Sequence, residues 1–170
     1  MFIAGLMVGR TPEYLSKKIQ GPEMKLIVLF ILAVPFATLA FAGATVVVGS
    51  AVHNISATGP HGLTEAVYNY SSAANTNGSA FAGMNATSQW YLVTLALAML
   101  IGRFFTIIPV LAIGGSMVRK RTVRQSAGTF KTDTPLFLGL LLAVTVIVGA
   151  LTYFAVLALG PAVEHLTGHI

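Results

Sequence analysis

The chain has 170 residues, of which 55% are hydrophobic and only 9% are charged, and its formal net charge is +5. Because a soluble domain carries about 25% charged residues, this composition indicates a membrane protein. The positive charge forms no basic stripe with interleaved aromatic residues, so no nucleic acid is expected as a partner. The absence of cysteine excludes disulfides, thiolate metal sites and cysteine nucleophiles.

Three apolar segments are predicted to cross the membrane as helices. A helix needs about 20 apolar residues to cross a hydrocarbon core of about 30 Å. The first predicted span, 26–52, contains no charged residue and follows a basic segment at 1–25. The second span is predicted at 90–117 and the third at 135–163.

The positions of Lys and Arg predict how these spans are oriented. Segment 1–25 holds four of them, and the loop 118–134, between the second and third spans, holds five. The loop 53–89 and the tail 164–170 hold none. By the positive-inside rule, 1–25 and 118–134 are cytoplasmic, whereas 53–89 and 164–170 are extracytoplasmic.

The polar loop 53–89 has the pattern of a pore loop. Residues 61–73 are predicted to form a helix of about 13 residues, or about 20 Å, which is too short to span and has the length of a re-entrant pore helix. Residues 74–80 follow it as a small, polar strip containing one glycine. The sequence therefore predicts a helix that enters the membrane from outside, followed by backbone that returns to the same side.

Four positions of this strip, Asn75, Thr76, Asn77 and Gly78, are the predicted filter. Backbone carbonyls can replace the water shell of potassium when several point into one narrow axis. Gly78 permits the unusual dihedral angles that this requires, and the end of the preceding helix adds about half a negative charge. The pattern is also compatible with an ordinary outer loop rich in Asn, Ser and Gly. It departs from the Thr-Val-Gly-Tyr-Gly signature of potassium channels, which leaves the ion open.

In these residues the chain resembles the family of potassium-binding A subunits of the bacterial Kdp ATPase, a potassium-importing P-type pump. The resemblance covers almost the whole chain. The blocks that carry it are 1–15, 72–83, 102–104, 108–112, 149–152 and 158–161.

The resemblance implies an all-α membrane protein with a potassium-channel-like fold. That family is similar to a channel made of four helix–pore loop–helix repeats in one polypeptide, with one extra span at each end. This chain corresponds to the fourth repeat plus the last transmembrane helix. Because Met1 falls inside a family block, we expect the chain to be part of a longer polypeptide. The family commonly has Asn where Thr76 stands, a mild departure because the carbonyl of this residue would face the ion.

The resemblance also implies the function and the partners. Potassium would bind at the extracytoplasmic side through the filter and pass to a separate ATP-hydrolysing component, the B component of the Kdp complex, so ATP would act only through a partner. The small C and F components, membrane lipid and the remaining repeats of the potassium-binding polypeptide complete the expected partners, in the bacterial plasma (inner) membrane. The chain contains neither a Gly-x-x-x-x-Gly-Lys-Ser/Thr loop nor an Asp-Lys-Thr-Gly phosphorylation motif, so no catalytic residue is predicted.

Arg103 is the one charge inside a predicted span, where it costs about 2.5–3.5 kcal/mol on insertion scales. We expect it to lie below the filter and face the pore, where its charge repels or positions potassium and gates the path. The alternative is a structural arginine that pairs with carbonyls or with a carboxylate of another repeat.

For the remaining candidate residues the sequence favours structural roles over ion or metal binding. Glu65, inside the predicted pore helix, could steer cations or brace the filter, and a bracing hydrogen bond is the favoured role; Phe81 is expected to pack behind the filter. The histidines form no ligand cluster, so no metal other than potassium is expected; they are His53, His61, His165 and His169.

Two other functions fit the same sequence. One is a homo-oligomeric pore-loop cation channel closed by four copies of the chain, although a two-span channel does not require the third span. The other is a structural membrane protein with a glycosylated or adhesive outer loop, which would tolerate changes at Gly78.

Overall fold

A computed structural model describes residues 13–57, 59–124 and 134–167. The predictions made for the opening apolar residues, for part of the basic loop and for the last three residues lie outside these ranges. Apart from a hairpin of two-residue strands, β1 (Glu13–Tyr14) and β2 (Lys17–Lys18), the described elements are helices. They are α1 (Gly21–Val47), α2 (Gly49–Val52), α3 (His61–Ala74), α4 (Gln89–Arg119) and α5 (Pro135–Thr167).

The helices α1, α4 and α5 are long and apolar enough to cross a membrane. They contain 27, 31 and 33 residues, and the mean hydropathy of their most apolar windows is 2.5, 2.2 and 2.5. The predicted class, an all-α membrane protein, is therefore confirmed.

The first long helix begins and ends differently from the predicted span. It begins at Gly21 because the backbone N–H of Gln20 donates to Glu23 Oε2 at 2.9 Å, within a reciprocal capping box, and Pro22 fits the first turn. It ends at Val47, and Val48 is extended with ψ 112° before the single turn of α2. The predicted uninterrupted span 26–52 is thus divided near its C-terminal end.

The third long helix continues beyond the predicted span. It contains Pro161 and ends at Thr167. A proline inside a membrane helix is tolerated where neighbouring groups satisfy the freed backbone, and α5 continues through Pro161 to four residues past the predicted end at 163.

The short helix α3 lies at the centre of the packing, against α1, α4 and the C-terminal part of α5. Nine of its 14 residues are buried, whereas Gly160 is the only buried residue of α5. The apolar core follows this arrangement. Its buried residues are Ala37, Ala42, Ala66, Val67, Tyr70, Ala73, Ala74, Tyr91 and Ala98.

The beginning of α1 and the end of α4 are joined by a buried carboxylate. Glu23 is 1% exposed and accepts hydrogen bonds from Lys120 Nζ at 2.6 Å and from the hydroxyl of Ser116. The hairpin adds a further contact, since Lys17 Nζ donates to the carbonyl of Met117 at 2.6 Å. This end of the molecule is the one that the positive-inside rule assigns to the cytoplasm.

Candidate ion-binding site

The helix α3 ends in a Schellman motif that turns the chain into the strip. The N–H of Thr76 donates to the carbonyl of Ala73 at 2.9 Å, and the N–H of Asn77 donates to the carbonyl of Ser72 at 2.9 Å. This pair of bonds satisfies two of the last carbonyls of the helix and requires a left-handed residue between them. Thr76 occupies that position with φ 54°.

The left-handed conformation is unusual for Thr76. Asn and Gly adopt it readily, but for a β-branched residue it is an outlier that costs about 1–2 kcal/mol. Two residues later Gly78 has φ 85°, a value natural for glycine. The strip therefore reverses its direction through two left-handed residues, one of them strained.

The chain after Gly78 runs back along α3. The hydroxyl of Ser79 lies 3.0 Å from that of Tyr68, and the N–H of Phe81 donates to Asn69 Oδ1 at 3.0 Å. Residues 75–80 are all exposed on the other side of the strip. The backbone of the strip thus has one side fixed against its own helix and one side open.

A buried hydroxyl cluster holds α3 between the two spans that flank it. The hydroxyl of Tyr70 lies 2.9 Å from Thr45 Oγ1 of α1 and 2.6 Å from Thr94 Oγ1 of α4. The indole N–H of Trp90 also donates to Thr45 Oγ1, at 2.9 Å. Two rings stack on Tyr70 at centroid distances of 5.7 and 6.2 Å, those of Phe41 and Tyr91.

The end of α3 rests directly on α4 at a glycine. A Cβ placed on Gly102 would lie 1.7 Å from the carbonyl oxygen of Ala74, a distance that no side-chain atom can occupy. The other glycines of α4, Gly114 and Gly115, have open space. Only a glycine at position 102 allows this approach of the two helices.

Arg103 follows Gly102 in α4 and lines the same cavity as the first residues of the strip. It is exposed and lines an open cavity of about 490 Å³ together with Asn75, Thr76 and Thr106. Among the described residues no carboxylate pairs with Arg103. Two residues of the predicted filter, Asn75 and Thr76, therefore border one cavity with the predicted gating charge, and α1 and α5 also line it, whereas Asn77 and Gly78 do not.

Glu65 is buried, at 1% exposure, and its carboxylate accepts three hydrogen bonds. The donors are the N–H and hydroxyl of Ser56, at 3.1 and 2.7 Å, and the N–H of Ala57, at 2.9 Å. These bonds brace the loop that precedes α3. Phe81 packs edge-on against Tyr68, with ring centroids 5.6 Å apart.

The structure adds residues that the sequence reasoning did not single out, above all Tyr70, Asn69 and the close contact at Gly102. A glycine beside an intramembrane charge was the only signal available for the last of these. Of the histidines, His61 pairs with Glu164 at 2.7 Å. Within the described ranges, no group of three or more His, Asp or Glu side chains could hold a metal ion.

These features define a class of protein: a multi-pass α-helical membrane protein in which a short helix and a returning strip fold between two spans. The family model for the potassium-transporting ATPase A subunit (KdpA) matches residues 1–166. The chain belongs to this family, as its sequence resemblance predicted.

Similar proteins come from several bacteria and carry the same description, potassium-transporting ATPase potassium-binding subunit. The Mycobacterium tuberculosis protein is 60% identical over 167 residues, which are 98% of this chain and 29% of the relative. The Rhizobium rhizogenes protein is 57% identical over 167 residues, 98% of this chain and 30% of the relative. The chain thus spans about three-tenths of the length of the curated relatives it matches.

Proposed function

We propose that this chain supplies one of four strips of a potassium-selective filter in a P-type potassium-importing pump. Potassium binds from the extracytoplasmic side, and the backbone carbonyls of Asn75, Thr76, Asn77 and Gly78 replace part of its water shell. The relatives named as potassium-binding subunits are about three times as long as this chain. The rest of such a polypeptide would supply the three other strips.

The observation that carries this proposal is the geometry of the strip behind α3. A helix of 14 residues ends inside the packing, and its C-terminal end carries about half a negative charge. The strip that follows reverses through left-handed residues and keeps residues 75–80 exposed. Exposed, irregular backbone at membrane depth is tolerated only where it lines a polar path or is covered by protein.

Arg103 is assigned to the inner side of this filter. It borders the cavity that Asn75 and Thr76 also line, and no described carboxylate neutralises it. Its charge would oppose the uncontrolled passage of a cation through the cavity. We expect it to gate the path rather than to bind potassium.

The chain acts without catalytic residues of its own. In the proposed complex, potassium moves from the filter to the ATP-hydrolysing B component, and the small C and F components complete the pump in the bacterial plasma membrane. The loop with α3 and the C-terminus face the extracytoplasmic side, while the hairpin and the basic loop face the cytoplasm.

The test is growth on micromolar potassium of bacteria that lack other potassium uptake, with the variant placed in the full-length polypeptide. Gly78→Asp should restrict growth to raised potassium while the complex still assembles. Gly59→Asp is the matched control, because Gly59 also has a positive φ, 65°, and open space but lies outside the strip. Normal growth and unchanged preference for potassium over rubidium in Gly78→Asp would contradict the filter assignment.

A further inference from the structure

We propose that Tyr68, Asn69 and Ser72 are positioning residues that fix the outer end of the ion path. We call these three side chains of α3 the brace. They contact residues 79–81, the segment through which the strip leaves the filter, and they determine ion preference without touching the ion. This inference rests on the proposed function of the strip.

Asn69 provides the buried part of the brace. Its side chain is 4% exposed, and its Oδ1 accepts the N–H of Phe81 at 3.0 Å. Its Nδ2 is also buried and has no hydrogen-bond partner within the described ranges. Burying an unpaired donor is costly. The hydrogen bond that the Asn69 side chain does make fixes the backbone N–H of Phe81, the residue that follows the strip.

The two hydroxyls of the brace meet at Ser79. The hydroxyl of Tyr68 lies 3.0 Å from Ser79 Oγ, and that of Ser72 lies 3.3 Å from it. The backbone N–H of Ser79 is also engaged, by Asn77 Oδ1 at 3.1 Å. Both the side chain and the backbone of this residue are therefore held, immediately after the last filter position.

These contacts have a direct consequence for ion selection. Residues 75–80 are exposed on their open side, so displacement of the strip is resisted by the brace and by the backbone bonds of Thr76 and Asn77 to the end of α3. Filter carbonyls replace the hydration shell of the ion, so a displaced strip changes how many carbonyls reach the ion and at what distance. Loss of the brace should let the strip adapt to rubidium as readily as to potassium.

The experiment uses the complete pump and measures potassium- and rubidium-stimulated ATP hydrolysis over a range of ion concentrations. The variants are Tyr68→Phe combined with Ser72→Ala, which remove only hydroxyls, and Asn69→Leu. Tyr14→Phe is the control, because Tyr14 lies on the exposed hairpin, away from the strip. Gly78→Ala, a change inside the filter, is the reference.

The hydroxyl-deleted double variant should raise the apparent KM for potassium about fivefold, the factor expected for one net hydrogen bond. It should leave kcat close to that of the unchanged pump and narrow the KM ratio between the two ions. Asn69→Leu should have a larger effect, and the double variant carries the test alone if Asn69→Leu does not assemble. Tyr14→Phe should change nothing.

Two results would overturn the inference, and they are distinguishable. If Gly78→Ala alters KM and ion preference while the double variant leaves both unchanged, the strip is a filter but the brace does not set its selectivity. If Gly78→Ala is also without effect, the proposed function fails and the inference fails with it. A fall in kcat alone, with unchanged KM ratios, would show a general packing defect and also contradicts the brace.

Discussion

The helices α3 and α5 differ sharply in how they are held. The shorter one, α3, buries nine of its residues, and it is fixed by hydroxyls, stacked rings and the glycine contact with α4. The longer one, α5, buries only Gly160. A Cβ added at this position would lie 3.0 Å from Thr64 Oγ1 of α3. Its polar contacts with α1 and α3 include the pair of Glu164 with His61 and the bond of Tyr153 to Thr38 at 3.3 Å.

The contrast between α3 and α5 is the one that the proposed function requires. A helix that only crosses the membrane can be positioned by its apolar surface. A helix that places backbone carbonyls around an ion must be held from several directions, because small displacements change the distances to the ion. Stability should therefore respond strongly to changes around α3 and weakly to changes on α5.

The largest effect is expected from Gly102→Ala. The added methyl would meet backbone rather than a movable side chain, so α3 and α4 must separate at a cost of about 3 kcal/mol or more. The measurement is the yield and thermal inactivation midpoint of the purified pump. Gly114→Ala and Gly115→Ala, in open space on the same helix, should behave like the unchanged protein. Equal yields and midpoints for all three variants would mean that α3 does not rest on Gly102.

The next largest loss of stability is expected from Glu65→Gln. The amide keeps one oxygen but turns an NH2 group toward donors from Ser56 and Ala57, so we expect a loss of about 2–3 kcal/mol. Thermal inactivation of the purified pump measures this loss. A midpoint that does not change would indicate that the carboxylate is not the acceptor for this loop.

Thr76→Asn should have a moderate effect of the opposite sign. Asn tolerates the left-handed conformation, so the variant should gain about 1 kcal/mol and keep its preference for potassium, because the carbonyl remains in place. Thr122→Asn is the control, since Thr122 has no positive φ. Loss of ion preference in Thr76→Asn would mean that the threonine side chain takes part in ion binding.

The smallest effect is expected from Glu164→Gln on α5. The side chains of Glu164 and His61 are 36% and 50% exposed. Such a pair contributes less than about 1 kcal/mol and is weakened by salt. The midpoint should shift little at low ionic strength and not at all at high ionic strength. A shift as large as that of Glu65→Gln would remove the contrast between the two helices.

The sequence predicted the elements better than their contacts. Uncharged stretches of sufficient length predict membrane helices, since few other structures accommodate them, and a segment of about 13 residues cannot span. The end of α1 at Val47 and the continuation of α5 past Pro161 depend on neighbouring groups, which hydropathy does not describe. Helix ends are therefore the part of the fold that the sequence predicted least well.

In the candidate site, too, the sequence predicted local segments better than contacts between distant residues. The proposed filter positions lie in one continuous stretch of sequence, and Arg103 stands out as a charge within a predicted span. The approach of Gly102 to Ala74 and the bonds of Tyr70 to Thr45 and Thr94 join residues that are 24 to 28 positions apart along the chain. No local sequence pattern predicts such contacts, because they form only when three helices pack together.

The most direct test of the central claim is the location of the bound ion in the complete pump. One map is an electron cryomicroscopy map of the pump in potassium. The other is an anomalous difference map from a crystal of the pump in rubidium. Together they would show which atoms surround the ion. The account predicts an ion on the axis beside the carbonyls of Asn75, Thr76, Asn77 and Gly78, and its loss in Gly78→Asp. An ion bound elsewhere in the pump, with these four carbonyls facing protein or lipid, would contradict it.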